Sequence, residues 1–155
     1  MLAAIAAATE AQRPAARLAD LRTFCRQQKP STAAEGIASV VEHALETVDC
    51  AAVFVPARSG TTARMISRFK PGVWVVAVAE DFAVSQGLAF SFGVHSFAMT
   101  DQPGDWRDFA QRWLHENKLS GSIAMLVAGP SARAPDANHR IEFLRVGHQN
   151  AGPKI

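Results

Sequence analysis

The spacing of apolar positions changes character near residue 50. Before it the period is helical. Residues 2–12 are Ala-rich, Pro14 interrupts, and residues 17–27 place Leu18, Leu21, Phe24 and Cys25 on one helical face. Lys29-Pro30-Ser31 is a stop, and Thr32 and Glu35 then have capping-box spacing, in which hydroxyl and carboxylate satisfy unpaired N–H groups at a helix start. The helix this predicts carries Ile37, Val40, Val41, Ala44, Leu45 and Val48 as a stripe facing a core.

Beyond residue 50 the apolar residues gather into short, nearly continuous runs. Residues 51–56 and 73–79 are β-branched and aromatic and too short for core helices, so they read as strands buried on both faces of a parallel sheet. A helix over residues 59–69 joins them, and the crossover is expected to be right-handed. Residues 82–90 form a weaker helix interrupted by Gly87. Residues 93–99 are a third strand, and residues 105–117 an amphipathic helix with Trp106, Phe109, Ala110, Trp113 and Leu114 on one side. A fourth strand at 122–128, a Pro/Ala/Ser-rich loop at 129–138 and a less regular strand at 140–146, suited to a sheet edge, complete the pattern. Alternating strands and helices predict a three-layer α/β/α sandwich. Residues 31–147 contain no repeat and no linker, so the expected organisation is a helical segment over 1–30, one domain over 31–147 and a tail over 148–155.

Composition narrows the functional classes. The 155 residues carry 16 Lys+Arg against 14 Asp+Glu, a formal charge of +2, spread evenly along the chain. Nucleic-acid binding draws on a concentrated cationic face, which this distribution does not offer. Apolar runs such as 73–79 fall far short of the roughly 18–20 residues of a spanning helix, so no membrane partner is expected. Residues 1–8 are apolar but lack the cationic start of a secretory signal. Cys25 and Cys50 form no CxxC pair, which favours a reduced, cytoplasmic setting.

Chemistry is concentrated where the first buried strand meets its helix, in Ala57-Arg58-Ser59-Gly60-Thr61-Thr62-Ala63. Unpaired N–H groups and the positive end of the dipole make such a turn a place for phosphate. Ser59, Thr61 and Thr62 add hydroxyls, Gly60 lets backbone approach closely, and Arg58 or Arg64 supplies charge. The alternative is ordinary helix initiation, with Ser59 or Thr61 as cap and Gly60 as turn. Neither a GxxxxGK[ST] nor a GxGxxG pattern is present. The 129–138 loop leaves the carboxyl end of a strand, where open α/β sheets bind ligands, so Arg133 is a second anion contact in this reading; the alternative is a plain surface connection.

Other constellations carry less. His43, His95, His115, His139 and His148 show no metal-ligand spacing, and Ser59 is not in a GxSxG elbow. Cys25 and Cys50 read as packing residues, Trp106 and Trp113 as core or subunit-contact anchors, and the Glu80-Asp81 pair as a helix cap.

The run from Cys50 to Pro71, with its Ser59-Gly60-Thr61-Thr62-Ala63 turn and Arg68-Phe69-Lys70-Pro71 helix end, followed by Val75-Val76-Ala77-Val78, resembles the C-terminal domain of pyruvate kinase. That family has a strand leading into Thr-x-Ser-Gly-x-Ser/Thr-Ala, a helix ending Arg-Tyr-x-Pro, and a strand Ile-Ile-Ala-Val. The likeness extends over the helix at 32–48, the strand at 121–128 and the last strand through Val146, and more weakly to residues 1–26, which look like the end of the family's last barrel helix and its connector.

The resemblance implies a five-stranded, mostly parallel sheet with an antiparallel edge strand, and a regulatory site for a sugar phosphate. Arg58, Ser59, Gly60, Thr61, Thr62 and Ala63 match the phosphate turn, and Arg133 falls in the closing loop. The first Thr of the family motif is replaced around Pro56-Ala57, and the late loop lacks the family's Gly- and Thr-Asn-rich character. Catalysis in the family, with its magnesium and potassium sites, belongs to a preceding (β/α)8 barrel whose sequence these residues do not contain. The expected function is therefore a phosphorylated-metabolite-binding and oligomerisation module of glycolytic regulation, without a cofactor or phosphoryl transfer of its own. The alternative is an interaction domain that pairs with itself or with a full-length pyruvate kinase and binds nothing small.

Overall fold

A computed structural model describes residues 32–129 and 138–147. The helical segments expected within 1–30, Cys25, the tail at 148–155, and most of the late loop including Arg133 lie outside the described residues. The elements follow in the order α1 (Ala33–Thr47), β1 (Ala52–Ala57), α2 (Thr61–Arg68), β2 (Trp74–Ala79), α3 (Phe82–Leu88), β3 (Val94–Ala98), α4 (Trp106–Glu116), β4 (Ile123–Ala128) and β5 (Arg140–Arg145). The sheet order is β3-β2-β1-β4-β5, with β5 antiparallel to β4 and every other pair parallel. This is the five-stranded, mostly parallel sheet with an antiparallel edge that the family resemblance implies.

The three central strands β1, β2 and β4 are apolar throughout because both faces of the sheet are covered there, whereas the edge strands β3 and β5 carry polar residues. Along β1, Val53, Val55 and Ala57 face one cluster and Ala52 and Phe54 the other, the two-residue period of a strand. The first cluster takes in Ala38 and Val41 of α1, Ala63 and Ile66 of α2, and Leu88 of α3. The second is roofed by α4 through Ala110, Trp113 and Leu114. Helices on both faces of a sheet make the three layers.

One expectation about side chains needs correction, and one open alternative is decided. Val40 is 57% exposed, while Ala38 and Val41 are fully buried. At 3.6 residues per turn Val40 stands about 100° around the helix from Val41, so it lies on the flank of the buried arc. Trp113 takes the core alternative and not the subunit-contact one: it is 3% exposed and packs edge-to-face on Phe54 with ring centroids 5.8 Å apart. The face of α4 that carries Trp106 and Trp113 is used on its own sheet.

The helix starts explain most boundaries. Thr32 accepts from Glu35 N at 3.2 Å, the hydroxyl half of the capping box. Asp81 accepts from Ala83 N at 2.7 Å and Asp105 from Arg107 N at 2.8 Å and Asp108 N at 3.1 Å, so both carboxylates cap their helices. Gly87 does not break α3, which runs through it to Leu88, two residues short of the expected end.

Candidate functional site

Strand β1 stays in register with β2 to its last residue, Ala57 opposite Ala79, but pairs with β4 only at Val53↔Met125 and Phe54↔Leu126. Pro56, which has no N–H to contribute to a ladder, sits where β1 has parted from β4. The two strands also mark the place where the chain changes faces: α2 and α3 cover one side of the sheet, and α4, which leads into β4, the other. Ligands of open α/β sheets bind in such a crevice, at the carboxyl ends of the strands. A cavity of about 430 Å³ opens there.

Its walls come from three places: the β1–α2 turn, the end of β4 with the start of β5, and Ala34 of α1. The turn contributes Arg58, Ser59, Gly60, Thr61, Thr62 and Ala63, all of the site residues expected there. Gly60 is the residue before the helix and has φ 75°, a conformation that costs other residue types free energy. A Cβ on it would also come within 2.9 Å of Leu88 Cδ2. Among the described residues no side chain caps α2. Ser59 and Thr61 hydrogen-bond each other through their hydroxyls at 2.9 Å, and Ser59 Oγ accepts from Thr61 N only at 3.4 Å. Arg64 N donates to Gly60 O at 3.0 Å, so the helix ladder begins there. Among the described residues, the N–H groups of Thr62 and Ala63 have no acceptor. Ordinary capping by Ser59 or Thr61 is thus not how this helix begins.

The two arginines of the turn have different surroundings. Arg58 is exposed at the cavity wall. Arg64 is turned back along its own helix, donating from Nη1 to Ser59 O at 3.0 Å, and does not line the cavity.

The opposite wall contains a residue that the sequence presents only as a histidine without metal-ligand spacing. Ala128 pairs with Arg140 across the β4/β5 ladder, which brings Gly129 and His139 together just beyond it. His139 lines the cavity, and its ring is so close to Gly129 that a Cβ there would lie 2.6 Å from Nδ1. The sequence does carry a signal for His139, since an antiparallel return after β4 must bring the residue before β5 to the end of β4. Among the described residues the cavity lining includes no carboxylate and no aromatic ring other than His139.

Elsewhere the chemistry is sparse. Burial raises the Cys50 thiol above its ordinary pKa, with the Asp49 carboxylate adding to the shift, so this cysteine is held as a neutral thiol. Among the described residues no three His, Cys, Asp or Glu side chains gather into a metal-sized group, and no helix is long and apolar enough to cross a membrane.

Comparison with known proteins identifies the family of the chain. The family model described as pyruvate kinase, alpha/beta domain, matches residues 35–138. Pyruvate kinase of Thermococcus litoralis is 39% identical over 102 residues, 65% of this chain and 22% of that protein. Pyruvate kinase of Lactococcus lactis subsp. lactis is 35% identical over 121 residues, 75% of this chain and 23% of that protein. The chain therefore spans less than a quarter of the length of these relatives. A structure of Cryptosporidium parvum pyruvate kinase in complex with ADP superposes with a TM-score of 0.72 at 21% identity, covering 84% of this chain and 27% of the other. The crevice between β1 and β4, the glycine turn at its mouth and the antiparallel closing strand are features of a chain that belongs to the family of the pyruvate kinase C-terminal alpha/beta domain.

Proposed function

We propose that this domain is a regulatory module that binds the phosphate of a phosphorylated metabolite, a sugar phosphate being the expected class, in the cavity between β1 and β4. The observation that carries the reading is the uncapped start of α2. Its N–H groups without an acceptor among the described residues, the Ser59, Thr61 and Thr62 hydroxyls and the Arg58 guanidinium border one cavity whose described lining holds no carboxylate. The phosphate accepts from the turn, and Arg58 balances its charge. The role is binding, not phosphoryl transfer.

Isothermal titration calorimetry with fructose 1,6-bisphosphate, sugar monophosphates and nucleotides tests it. We expect a sugar phosphate to bind and Thr62→Val to weaken it roughly tenfold, the loss of one hydrogen bond to a charged group. No binding by any of these compounds, or binding that Thr62→Val leaves untouched, removes the site.

Association with a second copy or with a full-length pyruvate kinase is the other half of the proposal. It is supported by the edge position of β5 and by Phe143 on it, which is 50% exposed. Size-exclusion chromatography of the protein, alone and mixed with a pyruvate kinase tetramer, separates the two roles: a monomer that forms no mixed complex leaves binding alone.

A further inference from the structure

The turn at the cavity mouth is held in place from outside the cavity. Arg64 donates from Nη1 to Ser59 O at 3.0 Å, while its Nη2 lies over Gly87 of α3, where a Cβ would come within 3.2 Å. The next residue of α3, Leu88, is fully buried and seats Gly60. The last turn of α3 thus touches the β1–α2 turn twice, once directly through Leu88 and once through the Arg64 guanidinium. No residue of α3 lines the cavity.

The hydrogen bond to Ser59 O acts on the Ser59–Gly60 peptide, and both of its residues line the cavity. In a trans peptide the C=O and the following N–H point in opposite directions, so the orientation of Ser59 O also sets that of Gly60 N–H. Glycine on one side of this peptide removes the steric penalty that would otherwise resist its rotation. A rotated peptide presents an acceptor oxygen to the anion in place of a donor. A charged donor on Ser59 O favours one orientation over the other. The planar fork of arginine allows one nitrogen to reach the carbonyl while the other rests against a helix, which a lysine ammonium does not reproduce.

We propose that Arg64 and Gly87 are positioning residues for the anion site. Arg64 restrains the Ser59–Gly60 peptide so that the turn offers donors to the cavity, and Gly87 leaves the space in which the guanidinium lies. Helix α3, through a residue whose expected effect is only to weaken it, then sets the affinity of a cavity it does not line. This role rests on the anion-binding reading above.

The test is calorimetry on the full 155-residue chain with fructose 1,6-bisphosphate and with inorganic phosphate, alongside thermal unfolding without ligand. Arg64→Ala is expected to weaken binding roughly fivefold to tenfold, less than the loss of a direct charge-assisted hydrogen bond because the arginine acts through the peptide, and Arg64→Lys to restore little of it. Gly87→Ala is expected to weaken binding by a smaller factor while leaving Tm unchanged or raised, because alanine favours a helix over glycine. In the Arg64→Ala background Gly87→Ala should have no further effect, since no guanidinium remains to be displaced. Two results overturn the role: wild-type affinity in Arg64→Ala, or additive losses in the double variant. If the wild-type chain binds neither probe, the anion site itself fails and this role with it.

Discussion

The β1–α2 and β2–α3 turns do the same topological job. Each carries the chain from the carboxyl end of a parallel strand into a helix on the same face of the sheet. They do it with opposite chemistry. At β2–α3, Asp81 places a carboxylate oxygen 2.7 Å from Ala83 N, so the helix start is neutralised by its own chain. At β1–α2 a left-handed glycine stands in the capping position and no side chain among the described residues caps the helix. Asp105 treats α4 as Asp81 treats α3, and Thr32 caps α1. Of the four described helices, only α2 is left open, and it opens on the cavity. The proposed anion site rests on this one exception.

Substitutions can exaggerate or erase that difference. The largest effect is expected from Gly60→Ala, which combines φ 75° with a 2.9 Å approach to Leu88. It should cost about 2 kcal/mol of stability, read from denaturant unfolding, and abolish sugar-phosphate binding. Thr62→Asp gives α2 an acidic first turn of its own. We expect at least a tenfold loss of affinity by calorimetry, about 1.4 kcal/mol, with an unchanged or slightly higher Tm, because the carboxylate suits the helix but repels the phosphate. Undiminished binding in this variant would show that the open helix start is not where the anion sits. The smallest effect is that of Asp81→Ala, which opens the second turn: about 1 kcal/mol of stability lost, and affinity unchanged. A change in affinity there means that the two turns are not independent.

How much of the molecule is legible in its sequence depends on what each residue answers to. Val53–Val55 and Val75–Val78 announce buried strands because a continuous apolar run of that length suits a strand covered on both faces and is too short for a core helix. The Thr32 cap is legible because capping is local in sequence. The burial of Ala38 in place of Val40 is not, since a stripe drawn by hydrophobicity alone does not say which arc of the helix meets the sheet. The sequence marks Gly87 only as a weak point of α3; its neighbour in space, Arg64, is 23 residues away, and only the packed fold brings them together. Within the site, Arg58 to Ala63 are legible as one continuous segment at a strand–helix junction. Gly129 and His139 stand apart in the sequence, one at the start of a loop and the other a histidine without metal-ligand spacing, because their meeting depends on the β4/β5 register. Arg133 falls outside the described residues.

The pairing of β1 with β4 also determines when the cavity comes into being. Val53 finds Met125, far along the chain, whereas β1 and β2 meet across a single helix. One wall belongs to the early strand–helix–strand unit and the other to the last strands, so loop closure over that long separation precedes any binding. A ligand held between the walls then stabilises only chains in which this seam is closed, by mass action. Amide hydrogen exchange at the β1/β4 seam, slowed by ligand more than at the β2/β3 pair, is the signature such a clamp leaves.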